Sequence, residues 1–458
     1  MLQKITARMA LCLVGNRKAK GLMISHQMNS FRELKTEEFL SVEENKKLQS
    51  KRLLALIIHA CQTVPYYRDL QIDVDAISEE NVFEEIKKFP ILTKDIIRKE
   101  GDRLYSEAYT KSQVGDWMYE DTSGGTTGEP VKFLHSGHYF DSDQGAALFA
   151  DEFAGRKIGD FQIRLWGSER DIISGKKDWM NKIYRWMRAE MFLNTFQMND
   201  ATMAEYVRII NKKKPKMILA YAQSAREIAK YIEDNNISVH SPNGVMTSAG
   251  TLDNDTYELL KRVFKCPVIN RYGSREVGCM ACSCEKNEGL HINSRGVFVE
   301  TLRDDGTPCD DEEEGRIIVT NLQEYAMPLI RYEIGDVGSL TKHACSCGRG
   351  LPMLKKLSGR IVGVFLTEDG NRVDGEYFTH LFYNCKWVKQ FQVIQEGFND
   401  VVVNYISTSE PDFDTLCAPD MTVKIRLVMG EKCNVTYNKV DDIPETKSGK
   451  RAYTIRNF

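Results

Sequence analysis

Leu54, Ile57, Ile58 and Cys61 recur at the three- and four-residue spacing that places them on one face of a helix. Pro65 should end that helix at Val64, because a residue before proline avoids helical angles. Helical texture dominates the N-terminal third. From Asp200 to Asn270 the pattern changes. Apolar runs at residues 217–220, 244–248 and 268–272 predict strands, and stretches at 225–232 and 256–264 predict the helices between them. Such alternation implies crossover connections and a largely parallel sheet. Residues 317–320 and Phe365 read as further strands. Residues 176–192 interleave Trp179, Ile183, Trp186 and Met187 with Lys182, Arg185 and Arg188. That spacing predicts an amphipathic core helix, with an acyl tunnel or a membrane surface as alternatives.

Past Gly359 the texture shifts again. Segments 390–395 and 401–406 flank Glu396-Gly397-Phe398-Asn399-Asp400, a hairpin pattern, and are followed by an expected helix at 423–428 and strand at 433–437. The fold expectation is an α/β chain of two domains. A large N-terminal domain, residues 1–358, would hold mixed and parallel sheets with helices, and residues 359–458 would form a small mobile α+β domain.

Composition narrows the function classes. The chain has 458 residues, 42% of them apolar and 28% charged, and a formal charge of -3, which gives no electrostatic footprint for nucleic acid. No apolar stretch approaches the length of a membrane span. Met9 to Gly15 is short, runs into Asn16-Arg17-Lys18 and lacks a small-residue cleavage pattern, so the expected location is cytoplasmic.

Twelve cysteines are too dilute for a disulfide scaffold, and in a reducing compartment clustered cysteines point to metal. Cys12, Cys61, Cys266, Cys309, Cys385, Cys417 and Cys433 are scattered and read as free thiols. Cys284, His291, Cys345 and Cys347 offer the thiolates and imidazole that tetrahedral zinc prefers, with Cys279 and Cys282 as rival ligands.

The most informative run is Asp121-Thr122-Ser123-Gly124-Gly125-Thr126-Thr127-Gly128-Glu129-Pro130. Its glycines let backbone N–H groups approach an anion, and its hydroxyls add donors. No lysine follows as a Walker loop requires, so a P-loop is excluded, and in isolation a plain Ser/Thr/Gly turn fits as well.

This run resembles the phosphate loop of the adenylate-forming superfamily, and above all of the phenylacetate–coenzyme A ligase family in its capsule and exopolysaccharide branch. Val64-Pro65-Tyr66-Tyr67 and Phe89-Pro90-Ile91-Leu92-Thr93-Lys94 resemble that family's N-terminal signatures, and Trp166-Gly167-Ser168-Glu169-Arg170 resembles the capsule branch. The other motifs follow in the family's order: Ser248-Ala249-Gly250-Thr251, then Tyr272-Gly273-Ser274-Arg275-Glu276, then Ile330-Arg331-Tyr332-Glu333-Ile334-Gly335-Asp336, then Pro444-Glu445-Thr446-Lys447-Ser448-Gly449-Lys450.

The resemblance implies ATP-dependent activation of a small carboxylic acid as its acyl-adenylate, with pyrophosphate leaving. Ser123, Gly124, Gly125, Thr126, Thr127 and Gly128 would bind the phosphates. Ser248, Ala249, Gly250, Tyr272 and Gly273 would line the adenine. Asp336 and Arg360 would serve the ribose, Glu276 would hold Mg²⁺, and Lys450 would catalyse adenylation. Some relatives carry a structural zinc at positions like Cys284, His291, Cys345 and Cys347. The implied acceptor is coenzyme A. An amine on an amino sugar or protein is the alternative, and a silent nucleotide-binding module is the rival of another class, opposed by Lys450, Glu276 and Asp336. Two departures stand out. Arg275 replaces the superfamily's usual threonine, and Gly359-Arg360 is followed by Ile361-Val362-Gly363 with no acidic hinge residue.

Overall fold

The computed structural model describes residues 26–111, 116–122, 131–167, 186, 188–195, 197–250, 252–358, 364–382, 388–407, 417–443 and 453–458. They fall into two compact units, each treated by itself. The first comprises residues 1–121, 131–153 and 269–358, and the second residues 122–130, 154–268 and 359–458.

In the first unit, helix Val42–Thr63 starts at Ser41, whose side chain accepts from the Glu44 N–H in a capping box, and it stops at Val64. Pro65 then opens the next short helix, as its fixed φ and missing N–H favour. The helix buries Leu53, Leu56, Ile57 and Ala60, while Leu54, Ile58 and Cys61 are half-buried. The expected face is therefore displaced by about one residue. This face shares a core with Ile317, Val319 and Leu354 of an antiparallel sheet. That sheet runs in the order Val297–Leu302, Gly315–Asn321, Tyr332–Thr341, Met353–Ser358, Leu290–Ile292, Gly278–Ser283, Val268–Ser274. A separate two-stranded sheet pairs Met118–Thr122 with Lys132–Ser136, and helix Gly137–Phe153 follows directly.

In the second unit, Gly244–Ser248, Met217–Tyr221, Gln162–Leu165 and Glu190–Leu193 are parallel neighbours in that order. Helices Asp200–Lys213, Ala222–Asp234 and Asn254–Phe264 separate the strands along the chain, as the alternating pattern predicts. Glu190–Leu193 is a strand, so the expected helix does not extend through 192, and residues 176–185 and 187 lie outside the described ones. Strand formation wins there because residues 190–193 pair with 162–165 and Glu190 is buried against Arg188.

The C-terminal sheet runs Asn434–Lys439, Asp400–Ser407, Val388–Gly397, Thr454–Arg456, with helix Ala418–Met429 beside it. Its central hairpin turns at Gly397↔Asp400. Backbone pairing of Arg372 with Met198 and Val373 with Gln197, and a 2.7 Å bond from Asn199 Nδ2 to Asn371 Oδ1, join this module to the parallel layer. Tyr221 packs into the module's core with Phe365, Phe378 and Phe391. Among the described residues no helix is long and apolar enough to cross a membrane.

Candidate active site

The hairpin of Val268–Ser274 and Gly278–Ser283 carries the Tyr272-to-Glu276 motif, with its register shifting between Tyr272 and Gly273. A Cβ at Gly273 would lie 2.4 Å from the Gly278 carbonyl oxygen, so only glycine allows this approach. The turn exposes Arg275 and buries Glu276. The departure at Arg275 is thus an exposed residue of the turn, and the Glu276 carboxylate beside it is buried.

Tyr332, first residue of the next motif's strand, donates its hydroxyl toward Glu276 Oε1 at 3.4 Å. Four residues on, after Gly335 at φ +89°, Asp336 accepts a 2.8 Å hydrogen bond from the Tyr272 hydroxyl. Tyr272, Glu276 and Asp336 therefore belong to one assembly, although Tyr272 and Asp336 are 64 positions apart. The Glu276 contact is long and leaves its oxygens lone pairs for a hard cation, so the group fits the Mg²⁺ role.

Two further residues support this assembly, Asp143 from outside the motifs and Arg331 from within one but with no role assigned by sequence. Asp143, on helix Gly137–Phe153, accepts the Cys279 N–H at 2.8 Å and holds the turn after Glu276. Burial pushes its carboxyl above the ordinary range. The Tyr139 phenol is pushed far higher by burial and by the charges of Asp143, Tyr119, Glu324 and Glu276. Arg331 has φ +54° and is buried. It pairs with Glu300 at 3.1 Å and donates to the carbonyls of Lys87 at 3.1 Å and Phe89 at 3.0 Å. Leu92 N–H donates to Arg331 O, and Glu333 N–H to Leu92 O, at 2.9 and 3.0 Å. The Phe89-to-Lys94 signature thereby anchors the Ile330-to-Asp336 motif.

Cys284, His291, Cys345 and Cys347 come together, their ligand atoms within 4.8 Å of one another. Cys279 and Cys282 are not in this group. The Cys284 and Cys345 sulfurs are 3.6 Å apart, and Cys347 Sγ is 3.4 Å from His291 Nε2. A zinc tetrahedron with Zn–S of about 2.3 Å has edges of about 3.8 Å, so the donor set fits the ion. Burial pushes the Cys345 thiol to about 12 and His291 to about 4, the latter with help from the Arg349 charge. Cys347 moves down despite burial, because the Arg349 backbone and guanidinium support its thiolate. Arg349 is fixed by Glu38 at 3.2 Å and lies 4.4 Å over the Phe153 ring.

In the second unit Ser248 ends a parallel strand, at the carboxyl edge where α/β sheets hold ligands. Ala249 follows at φ +52°, and Gly250 faces Ala222. Ser123, Gly124, Gly125, Thr126, Thr127, Gly128, Arg360 and Lys450 lie outside the described residues.

The chain is similar in sequence and fold to several known proteins. A family model described as the CapK C-terminal domain matches residues 365–457. Protein CapK of Staphylococcus aureus is 23% identical over 425 residues, covering 90% of this chain and 89% of the relative. A phenylacetate-coenzyme A ligase of Thermus thermophilus is 22% identical over 389 residues, covering 82% and 84%. In fold, the chain is similar to 2-hydroxyisobutyryl-CoA ligase crystallised with 2-HIB-AMP and CoA in its thioesterification state. The TM-score is 0.58, with 15% identity and 92% of each chain covered. The order of motifs, the meeting of Tyr272, Glu276 and Asp336, and sequence likeness along nearly the whole chain make this protein similar to CapK and to the phenylacetate–coenzyme A ligases, relatives of the adenylate-forming kind.

Proposed function

We propose that this ATP-dependent adenylate-forming ligase activates a small carboxylic acid as its acyl-adenylate and then transfers the acyl group to coenzyme A. The observation that carries the reading is the Tyr272–Asp336 hydrogen bond beside buried Glu276, which joins two nucleotide motifs. Asp336, oriented by the Tyr272 hydroxyl, accepts the ribose hydroxyls. The Tyr272 ring stacks on adenine beside Gly273 and the Ser248-Ala249-Gly250 segment, and Arg360 supports the ribose. Ser123 to Gly128 cradle the β- and γ-phosphates through backbone N–H groups. Mg²⁺, held by Glu276, supplies charge compensation for the phosphates.

Two anions must meet at the α-phosphorus, so the protein's work is positioning and electrostatic stabilisation. Lys450 bridges the carboxylate and α-phosphate oxygens. Residues 359–458 then move as a lid on the large domain, withdraw Lys450 and open the acceptor's path. Cys284, His291, Cys345 and Cys347 would hold a zinc ion through four protein ligands, a set that would give it a structural role. The setting we propose is cytoplasmic, in surface-polysaccharide biosynthesis.

Coenzyme A is favoured by relatives named phenylacetate-coenzyme A ligase. AMP release with an accepted acid should speed up on adding coenzyme A and yield a thioester detectable by mass spectrometry. Release that ignores coenzyme A but responds to an amino sugar would transfer the second step to an amine acceptor.

A further inference from the structure

His135, on strand Lys132–Ser136, is 1% exposed, and its Nδ1 lies 3.2 Å from Glu324 Oε2. Glu324 is equally buried and accepts the N–H of Ser136 at 2.9 Å and of Ala326 at 2.7 Å, one on each carboxylate oxygen. A carboxylate engaged in this way only accepts, so the proton shared with His135 sits on Nδ1. When the ring carries that one proton Nε2 is an acceptor, and it has no hydrogen-bond partner among the described residues. Buried polar groups are rarely left so, and each instance calls for a cause.

The surroundings supply one. The His135 ring stacks on Tyr139 at 4.5 Å and lies 5.3 Å from Tyr119. The Tyr139 phenol feels the charge of Glu276. Phe133, two residues before His135, packs edge-on against Tyr332, whose hydroxyl reaches Glu276. The strands bearing Tyr119 and His135 are also the two that the Ser123-to-Gly128 run connects along the chain. An imidazole with one unpartnered nitrogen is thus linked to Glu276 through the rings of Phe133 and Tyr332.

We propose that His135 Nε2 accepts a hydrogen bond from a hydroxyl or N–H group of the acid, and so selects a donor-bearing acid over its unsubstituted analogue. This rests on the adenylating reading above. The depth of the ring favours the acid, which is enclosed during adenylation, over an acceptor that arrives from solvent. Glu324 is a positioning residue that fixes the tautomer.

The test is pyrophosphate release with matched acids, 4-hydroxyphenylacetate against phenylacetate and 3-hydroxybutyrate against butyrate, in wild type, His135→Leu and His135→Gln. Wild type should favour the donor-bearing acid of at least one pair by about 100-fold or more in kcat/KM, as sites built around a hydroxyl do. His135→Leu should bring that ratio close to one. His135→Gln, whose amide oxygen can accept near the Nε2 position, should restore much of it. An unchanged ratio in His135→Leu, or no preference in wild type, overturns the inference and leaves adenylation standing. If His135→Leu fails to fold, the wild-type ratio and the Gln variant decide, and a Gln variant that has lost the preference at unchanged Tm counts against it. No release with any acid removes the adenylating reading itself.

Discussion

Asp336 and Tyr272 show how one hydrogen bond joins two motifs that lie 64 positions apart. On the proposed function, Asp336→Ala would remove the acceptor for two ribose hydroxyls, each charge-assisted bond contributing about 1.5–3 kcal/mol. ATP affinity by calorimetry should fall accordingly, and an unchanged affinity would show that Asp336 does not hold the ribose. Tyr272→Phe keeps the ring and frees the carboxylate, so its loss should be smaller, about 1 kcal/mol. The motif residues were readable because their types and order are specific. The roles of Asp143 and of the motif's own Arg331 were not, because they bind the Cys279 N–H and the Lys87 and Phe89 carbonyls, and backbone partners leave no mark in a sequence.

At the scale of elements, periodicity placed the helix at 42–63 and the strands of the parallel layer, but it misjudged helix orientation and read helix through 190–192, where a strand forms. Residues 42–63 form a helix, but its buried face turns on Leu53, Leu56 and Ala60, since the sheet residues it meets lie more than 200 positions away and no local pattern encodes them. The cysteines show the opposite case. Sequence offered Cys279 and Cys282 as rivals, and the structure gathers Cys284 and His291 with Cys345 and Cys347 instead. These pairs follow the two motifs ending at Glu276 and Asp336, so a zinc ion there would tie both nucleotide segments together. Purified protein should contain about one zinc per chain. A Cys284→Ser/His291→Ala variant should lose it, with lower Tm and weaker ATP binding together, because metal-binding free energy at such a site is partly folding free energy. Elemental analysis and thermal melting check this, and a metal-free preparation with wild-type Tm would reject the site.

For the molecule as a whole, the sequence showed an α/β fold with a C-terminal α+β module, and the comparisons and the sheets agree. The pairing of 372–373 with 197–198 was not legible, because strands of two or three residues have too little pattern to register. In this arrangement the Asn199–Asn371 bond steadies the module against the parallel layer. Asn199→Ala should loosen that tie and speed limited proteolysis between residues 358 and 364, whereas an unchanged cleavage pattern would show that the pair restrains nothing.

The central claim is acyl-adenylate formation, and isotope exchange between pyrophosphate and ATP reads that step without any acceptor. The exchange should require both a carboxylic acid and Mg²⁺, and it should nearly vanish in a folded Lys450→Ala variant, which lacks the charge bridging the two anions. Exchange at the wild-type rate in that variant, or no exchange in wild type across a broad panel of acids, would contradict the account.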